Sequence, residues 1–220
     1  MITRPQGENA PHAWNGNDPI FKYVDAVDAH FIESGSLKFG TLRGYASLEG
    51  PRQDKLENTC DLTLDGISGP PTSTHITALK SLGIHMTPNA AETINIFDNR
   101  SRVYGYNHYC LCTSYRGDLT DEEGRPQAVF QVEDIRSWMN LLVRENPVLN
   151  PIDSRSVMYG SREVDALLNP DSGPNYWIKP VAFEHEFEVR FIARNIVAND
   201  AAPIFTKPNP LVAGYMRRIR

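Results

Sequence analysis

The sequence predicts a single α+β domain with a split or mixed β-sheet core and flanking helices, and three observations point there. Strand-like and helix-like stretches interleave irregularly, with no Gly-rich phosphate loop after a strand, which argues against a doubly wound sheet. No internal repeat, low-complexity tract or composition break divides the 220 residues, a length that suits one large domain or at most two small ones. Apolar residues make up 40% and aromatics 10%, enough for a core and too much for whole-chain disorder.

Each element follows from local pattern. Residues 1–19 are polar and rich in Pro, Asn and Gly, an irregular arm before a domain at 20–220. Phe21–Val24 reads as a strand. Asp25 is placed to cap a helix with Val27, Phe31 and Ile32 on its apolar face, stopped at Gly35. Leu37–Leu42 alternates as a second strand, and 43–72 reads as a long connection of the kind that carries function. Ile76, Leu79 and Leu82 have helical spacing, while Thr93–Phe97, His108–Ser114 and Gln127–Phe130 read as strands. Between the last two lies a charged turn, Arg116 to Arg125. A helix carrying Val132, Ile135, Met139 and Leu142 follows, then a brief strand at Ser156–Tyr159 and a short helix at Arg162–Leu168. Phe183–Val197 is the clearest strand material in the chain.

Charge and cysteine content set limits on function. The 22 basic and 27 acidic side chains leave a net charge of -5, a poor fit to a sequence-independent nucleic-acid coat, although a local basic groove stays open. No apolar run approaches the roughly 20 residues of a membrane span, and the first residues lack the apolar stretch of a secretory signal. Three cysteines, Cys60, Cys110 and Cys112, are too few for a disulfide framework and predict a reducing, cytoplasmic setting.

The most informative segment is Phe183 to Phe191. A period of two puts Phe183, His185, Phe187, Val189 and Phe191 on one face and Glu184, Glu186, Glu188 and Arg190 on the other. A half-buried strand with a solvated charged face explains that pattern. So does a catalytic carboxylate cluster, in which two acids about 7 Å apart act on different atoms of one substrate and crowding raises one pKa. The pattern alone leaves both open.

The run Phe183-x-x-Glu186-x-Glu188-x-Arg190 resembles the Trp-x-x-Glu-x-Glu-x-Arg signature of a widespread bacterial and phage family of unknown function. Phe21-Lys22-Tyr23, Leu37-Lys38-Phe39, Glu49-x-x-Arg52-x-Asp54-x-x-Glu57, Cys110–Ser114 and Val157-Met158-Tyr159 resemble that family's other motifs in the same order, with Phe183 in place of Trp. More distantly, the order is similar to the ADP-ribosyltransferase superfamily, one branch of which carries Arg, Ser-Thr-Ser and Glu-x-Glu on successive motif strands. The counterparts would be Arg43, Cys112-Thr113-Ser114 and Glu186-x-Glu188, with Cys112 replacing the first Ser.

That resemblance implies an ADP-ribosyltransferase-like fold and transfer of ADP-ribose from NAD, as substrate, to a macromolecular acceptor, protein or nucleic acid. It also implies a toxin or phage-defence setting with an antitoxin or immunity partner, while the expectation of no membrane rests on the missing apolar span. Glu188 would stabilise the oxocarbenium-like ribose and Glu186 would orient or deprotonate the acceptor. Ser114 and Thr113 would fix the carboxylate and ribose, Arg43 or Arg52 would hold the pyrophosphate, and Tyr23 would stack on nicotinamide. NAD hydrolysis without transfer is the nearest variant.

Other readings also fit these residues. Asp54, Glu57, Glu186 and Glu188 could gather around Mg²⁺ in a nuclease, although the lysine usual beside such acids is missing from the strand, Lys179 lying seven residues before Glu186. His108, Cys110 and Cys112 share a strand face, where buried apolar cysteines are a better account than zinc. The basic tail Met216–Arg220 could contact a phosphate-bearing acceptor or stay solvated. A non-catalytic interaction domain completes the set.

Overall fold

The computed structural model describes residues 14–47, 54, 55, 57, 59–86, 94–120, 127–149, 152–169, 175–194 and 202–220. In chain order, β1 (Ile20–Asp25) leads through a 3-10 turn to α1 (Ala29–Glu33), then β2 (Lys38–Thr41) and α2 (Leu42–Ala46). The segment read as one long connection instead holds α2, β3 (Thr59–Leu64) and β4 (Ile67–Gly69). β3 alternates as a half-buried strand should: Cys60, Leu62 and Leu64 are buried while Asp61 and Thr63 face outward. Its threonines and its position in a Gly- and Thr-rich stretch hid that alternation.

Next come α3 (Ser73–Ser81), β5 (Ile94–Ile96), β6 (Asn99–Tyr104), β7 (Tyr109–Ser114) and β8 (Gln127–Val132). After α4 (Ile135–Glu145) the chain forms β9 (Ile152–Ser156), β10 (Met158–Tyr159), β11 (Glu163–Asp165) and β12 (Ile178–Lys179). It ends with β13 (Glu188–Ala193), β14 (Ile204–Phe205), α5 (Pro210–Ala213) and β15 (Met216–Arg218). The expected helix at Arg162–Leu168 is therefore a strand over Glu163–Asp165, because β11 pairs in parallel with β3. Pairing overrides local helical preference there.

The expected strand from Phe183 also changes. Val181–Glu186 is a 3-10 turn, Phe187 takes a left-handed conformation at φ 47°, and the strand begins at Glu188. The two-residue alternation therefore stops at Phe187, and Glu184 does not share a strand face with Glu188. All six residues of β13 are buried, so its two faces serve two purposes. Val189, Phe191 and Ala193 enter the main core, whereas Ile192 packs with Leu42, Cys110 and Trp177 in a smaller one. Glu188 and Arg190 lie on that second face.

The main sheet has eight strands and forks at β7. One edge of β7 carries β13 along its whole length, with β9 beyond. The other edge carries β2 at the Tyr109–Cys110 end and β1 at Ser114, continuing to β8 and β15 on the β1 side. At the fork the Lys22 ammonium donates to the Cys112 carbonyl at 2.9 Å, supplying a side-chain donor where β1 and β2 diverge. α4 closes the core over this sheet with Ile135, Trp138, Leu141 and Leu142, and Trp138 meets Phe191 edge-on. A helix face was expected there, although Met139 is only partly buried.

Ala29 and Ile32, rather than Val27 and Phe31, are the buried positions of α1, since the 3-10 start shifts the helix phase. Gly35 ends it at φ +77°, and a Cβ there would lie 2.0 Å from the Asn209 carbonyl. Part of the expected arm packs down, with Trp14 edge-on to Phe191. A second core (Leu64, Ile67, Ala78, Leu79, Ala166) lies under the small sheet β11–β3–β6 and α3. Helices and sheets in this mixture make the domain α+β. Among the described residues no helix is long and apolar enough to cross a membrane.

Candidate functional site

Glu188 starts β13 opposite Ser114 on β7, and Arg190 lies opposite Cys112. Burial to 4% exposure would be costly for a lone carboxylate, and the surroundings show how it is met. The Arg190 guanidinium, 2% exposed, donates to Glu188 Oε1 and Oε2 at 2.9 and 3.3 Å and to Glu57 Oε1 and Oε2 at 2.8 and 2.9 Å. It also donates to the Tyr176 carbonyl. The planar fork suits a position between two carboxylates, since it makes bidentate contact with one while reaching the other.

The network extends in both directions. Arg162 makes a bidentate pair with Asp54 at 2.9 and 2.6 Å, lies 3.6 Å from Glu57, and donates to the Ile178 carbonyl. On the far side Lys179 joins Glu188 at 3.2 Å and also holds Glu186. The order Asp54, Arg162, Glu57, Arg190, Glu188, Lys179, Glu186 alternates sign throughout. Four carboxylates against three cations leave one net negative charge. Every member except Glu186, whose side chain is 23% exposed, is at or below 8% side-chain exposure.

Burial works against the charge on Glu188, but Arg190 and Lys179 outweigh it and hold the carboxyl well below the usual carboxylate range. Glu186 moves the other way: burial raises its pKa, Lys179 opposes, and the Glu188 charge adds to the rise. Burial disfavours the Lys179 ammonium, yet Glu188 and Glu186 reverse this and keep it charged. Because the folded pKa of Glu188 is depressed, its stabilisation is present above the unfolded value near 4.5 and is lost as pH falls through the folded one. Urea unfolding followed from pH 6 down to pH 2.5 should therefore show stability falling, with Glu188 contributing on the order of 2–3 kcal/mol. Glu188→Gln should flatten that limb, and an unchanged acid limb would contradict the arrangement.

The other expected site residues divide. Ser114 lies beside Glu188, but its hydroxyl donates to the Phe187 carbonyl at 3.2 Å and accepts from the Arg116 amide. Thr113 points to the opposite face and donates to the Val189 carbonyl, so it braces the strand pair rather than meeting Glu188. The Tyr23 hydroxyl ties down the following turn, donating to the Arg116 carbonyl and accepting from the Leu119 amide, while the Arg220 guanidinium lies over its ring at 5.9 Å. Arg43 heads α2 beyond Thr41, which pairs with Tyr109, five residues along β7 from Ser114. That is about 17 Å of strand, so Arg43 and Glu188 come from opposite ends of β7. Arg52 and Glu49 lie outside the described residues.

Exposed Arg43 instead lines a cleft of about 330 Å³ with Ser47, Lys55, Glu57, Thr59 and Tyr104. The cleft meets the buried network at Glu57. Two cations, Arg43 and Lys55, line it together with the buried Glu57 carboxylate, whose charge is met by Arg190, so the cations are the groups that could pair with an anionic ligand.

Lys179, Arg162 and Tyr159, whose hydroxyl accepts from the Glu188 amide, were missing from the expected site. Lys179 is near Glu186 in sequence, but only the 3-10 turn folds it back; Arg162 carries no local signal at all. Among the described residues no three His, Cys, Asp or Glu side chains converge on one point. A cation already separates each neighbouring pair of the Asp54–Glu57–Glu188–Glu186 series, so these four do not form an empty divalent-ion cage. The sulfurs of Cys110 and Cys112 are 3.6 Å apart, and the thiol of Cys112 is pushed up by its bond to Cys110 and by burial. His108 packs edge-on against Tyr176 instead of joining them.

No protein-family model, no curated protein and no solved structure matches the chain.

Proposed function

We propose that this chain is an ADP-ribosyltransferase-like enzyme that takes NAD as substrate and passes ADP-ribose to a macromolecular acceptor. The observation that carries the reading is the forked sheet. It places β2, which leads into Arg43, beside β7 with Thr113-Ser114, and β7 beside β13, reached from Glu186 and starting at Glu188. Three motifs scattered through the sequence thus stand on or next to neighbouring strands: Glu186 and Glu188 belong to the buried group of net charge -1, and Arg43 to the cleft that meets that group at Glu57.

The chemistry assigns the roles. Arg43 and Lys55 hold the pyrophosphate in the cleft. The nicotinamide–ribose bond breaks with its electron pair leaving on nicotinamide, and the ribose carbon gains positive character opposite the carboxylate network. Glu186, the outermost carboxylate and the one whose pKa is raised, takes the proton as the acceptor bonds to that carbon. Glu188, with both oxygens engaged, is a positioning residue that keeps Lys179 and Arg190 in place.

A second reading rests on the saturation of the network. Because each buried carboxylate has a cation, the ions serve equally as a clasp tying Asp54 and Glu57, Arg162, Lys179 and β13 into one unit. The domain is then a binding module. Purified protein incubated with NAD labelled in its adenylate half, with and without cell lysate, separates the two. Nicotinamide release with label on macromolecules is the expected result; nicotinamide release alone marks a glycohydrolase, and neither signal from folded protein overturns the enzyme reading.

A further inference from the structure

We propose that the acceptor is single-stranded nucleic acid, lying along the outward face of β6 and entering the Arg43–Lys55 cleft. Calling it an acceptor rests on the transferase reading; the binding itself does not.

β6 is the outer strand of the sheet β11–β3–β6. Its alternate residues Arg100, Arg102 and Tyr104 point outward, and the same two-residue step brings Tyr106 out beyond the strand end. Tyr104 is 67% exposed and Tyr106 80%. Tyr104 is also a wall of the cleft, so a row of two arginines and two tyrosines runs directly to its mouth, where Arg43 and Lys55 add two further cations. Aromatic faces take bases of any identity, and guanidinium groups take the phosphates between them.

The width of the row selects the partner. On the same sheet face, Arg102 is paired across to Asp61, and Asp61 to Glu163 of β11. The cations therefore occupy only the outer strand, and an acidic row lies behind them. One phosphodiester chain fits along the basic edge, whereas the second backbone of a duplex would meet Asp61, Glu163 and Asp165. Arg102 is held by Asp61 at 2.6 Å, and Arg100 lies 3.9 Å from Asp98. The Asp61 pair is bidentate, with a second bond at 2.9 Å, but both pairs face solvent, where a phosphate competes for the guanidinium groups. In the transfer step a hydroxyl or ring nitrogen of the bound strand would bond to the ribose carbon as nicotinamide leaves, and its proton would go to Glu186.

Fluorescence anisotropy with labelled 15-residue oligothymidylate, oligouridylate and a DNA duplex of equal length tests this on the full chain. Both single strands, or one of them, should bind at low salt and the duplex more weakly. Tyr104→Ala and Tyr106→Ala should each weaken binding by about 5- to 100-fold. Arg100→Glu with Arg102→Glu should reduce the slope of log K against log salt by about 1.4. A urea unfolding midpoint near wild type shows that each variant is folded, as expected for exposed positions. Equal binding in the folded tyrosine variants, no single-strand binding, or tighter duplex binding would overturn the proposal, as would label from NAD appearing on protein alone. Nicotinamide release is read separately. Oligonucleotide binding without it sinks the transferase reading and leaves this surface standing, and release without binding does the reverse.

Discussion

Arg190→Met is expected to lower folding stability by about 3–5 kcal/mol, read as a fall in the urea unfolding midpoint. The guanidinium is the only cation among the described residues that lies between Glu57 and Glu188, and it satisfies both oxygens of each. Methionine fills much of the volume but leaves two buried carboxylates facing one another. Two like charges held in contact away from water oppose folding, which is the source of the loss. Arg190→Lys keeps the charge but loses the fork, because one ammonium cannot bind both carboxylates bidentately, and should recover only part of the loss. A double-mutant cycle of Arg190→Met with Glu57→Gln should show a coupling well above the few tenths of a kcal/mol expected of independent sites. Additive losses would mean that the network is not energetically connected.

What the sequence disclosed follows from how local each signal is. β1, β7 and β8 carry apolar and β-branched residues in short runs, and each was legible because burial of a strand in this sheet writes itself into its own residues. β3 and β11 were not, because their strand character depends on pairing with each other across about a hundred residues. The carboxylates were visible as residue types in a spacing, but their state was not. Whether Glu188 is a free base or a clamped anion turns on Arg190, Lys179 and the left-handed Phe187, and only the first is on its strand. Arg162 illustrates the limit. It lies in a stretch that reads as a helix, yet it closes the far end of the network on Asp54, 108 residues away in sequence.

Glu186 and Glu188 should fail differently when each is replaced by Gln, and the difference tests the division of labour between them. Glu186→Gln is expected to reduce nicotinamide-linked transfer by about 10²- to 10⁴-fold, the usual span for removal of a general base, with an unfolding midpoint near that of wild type. The fold should tolerate it because Gln can still accept a hydrogen bond from Lys179, and Glu188 remains to hold that ammonium. In wild type the transfer rate should rise with pH as Glu186 loses its proton, with an inflection above the ordinary carboxylate value because burial raises the group. The Gln variant should lose that rise. Glu188→Gln removes a charge that Arg190 and Lys179 both depend on, so stability and transfer should drop together. Glu57→Gln discriminates further. It disturbs Arg190 from the cleft side and should lower stability, while NAD binding by the folded variant should hold, since the charge lost beside Arg43 and Lys55 is one that repels the pyrophosphate. If Glu186→Gln were fully active while a folded Glu188→Gln were not, the inner carboxylate would be the one that meets the ribose. The network would then have to open around it for the donor to enter, since at 4% exposure Glu188 has no room for a ligand in this closed arrangement.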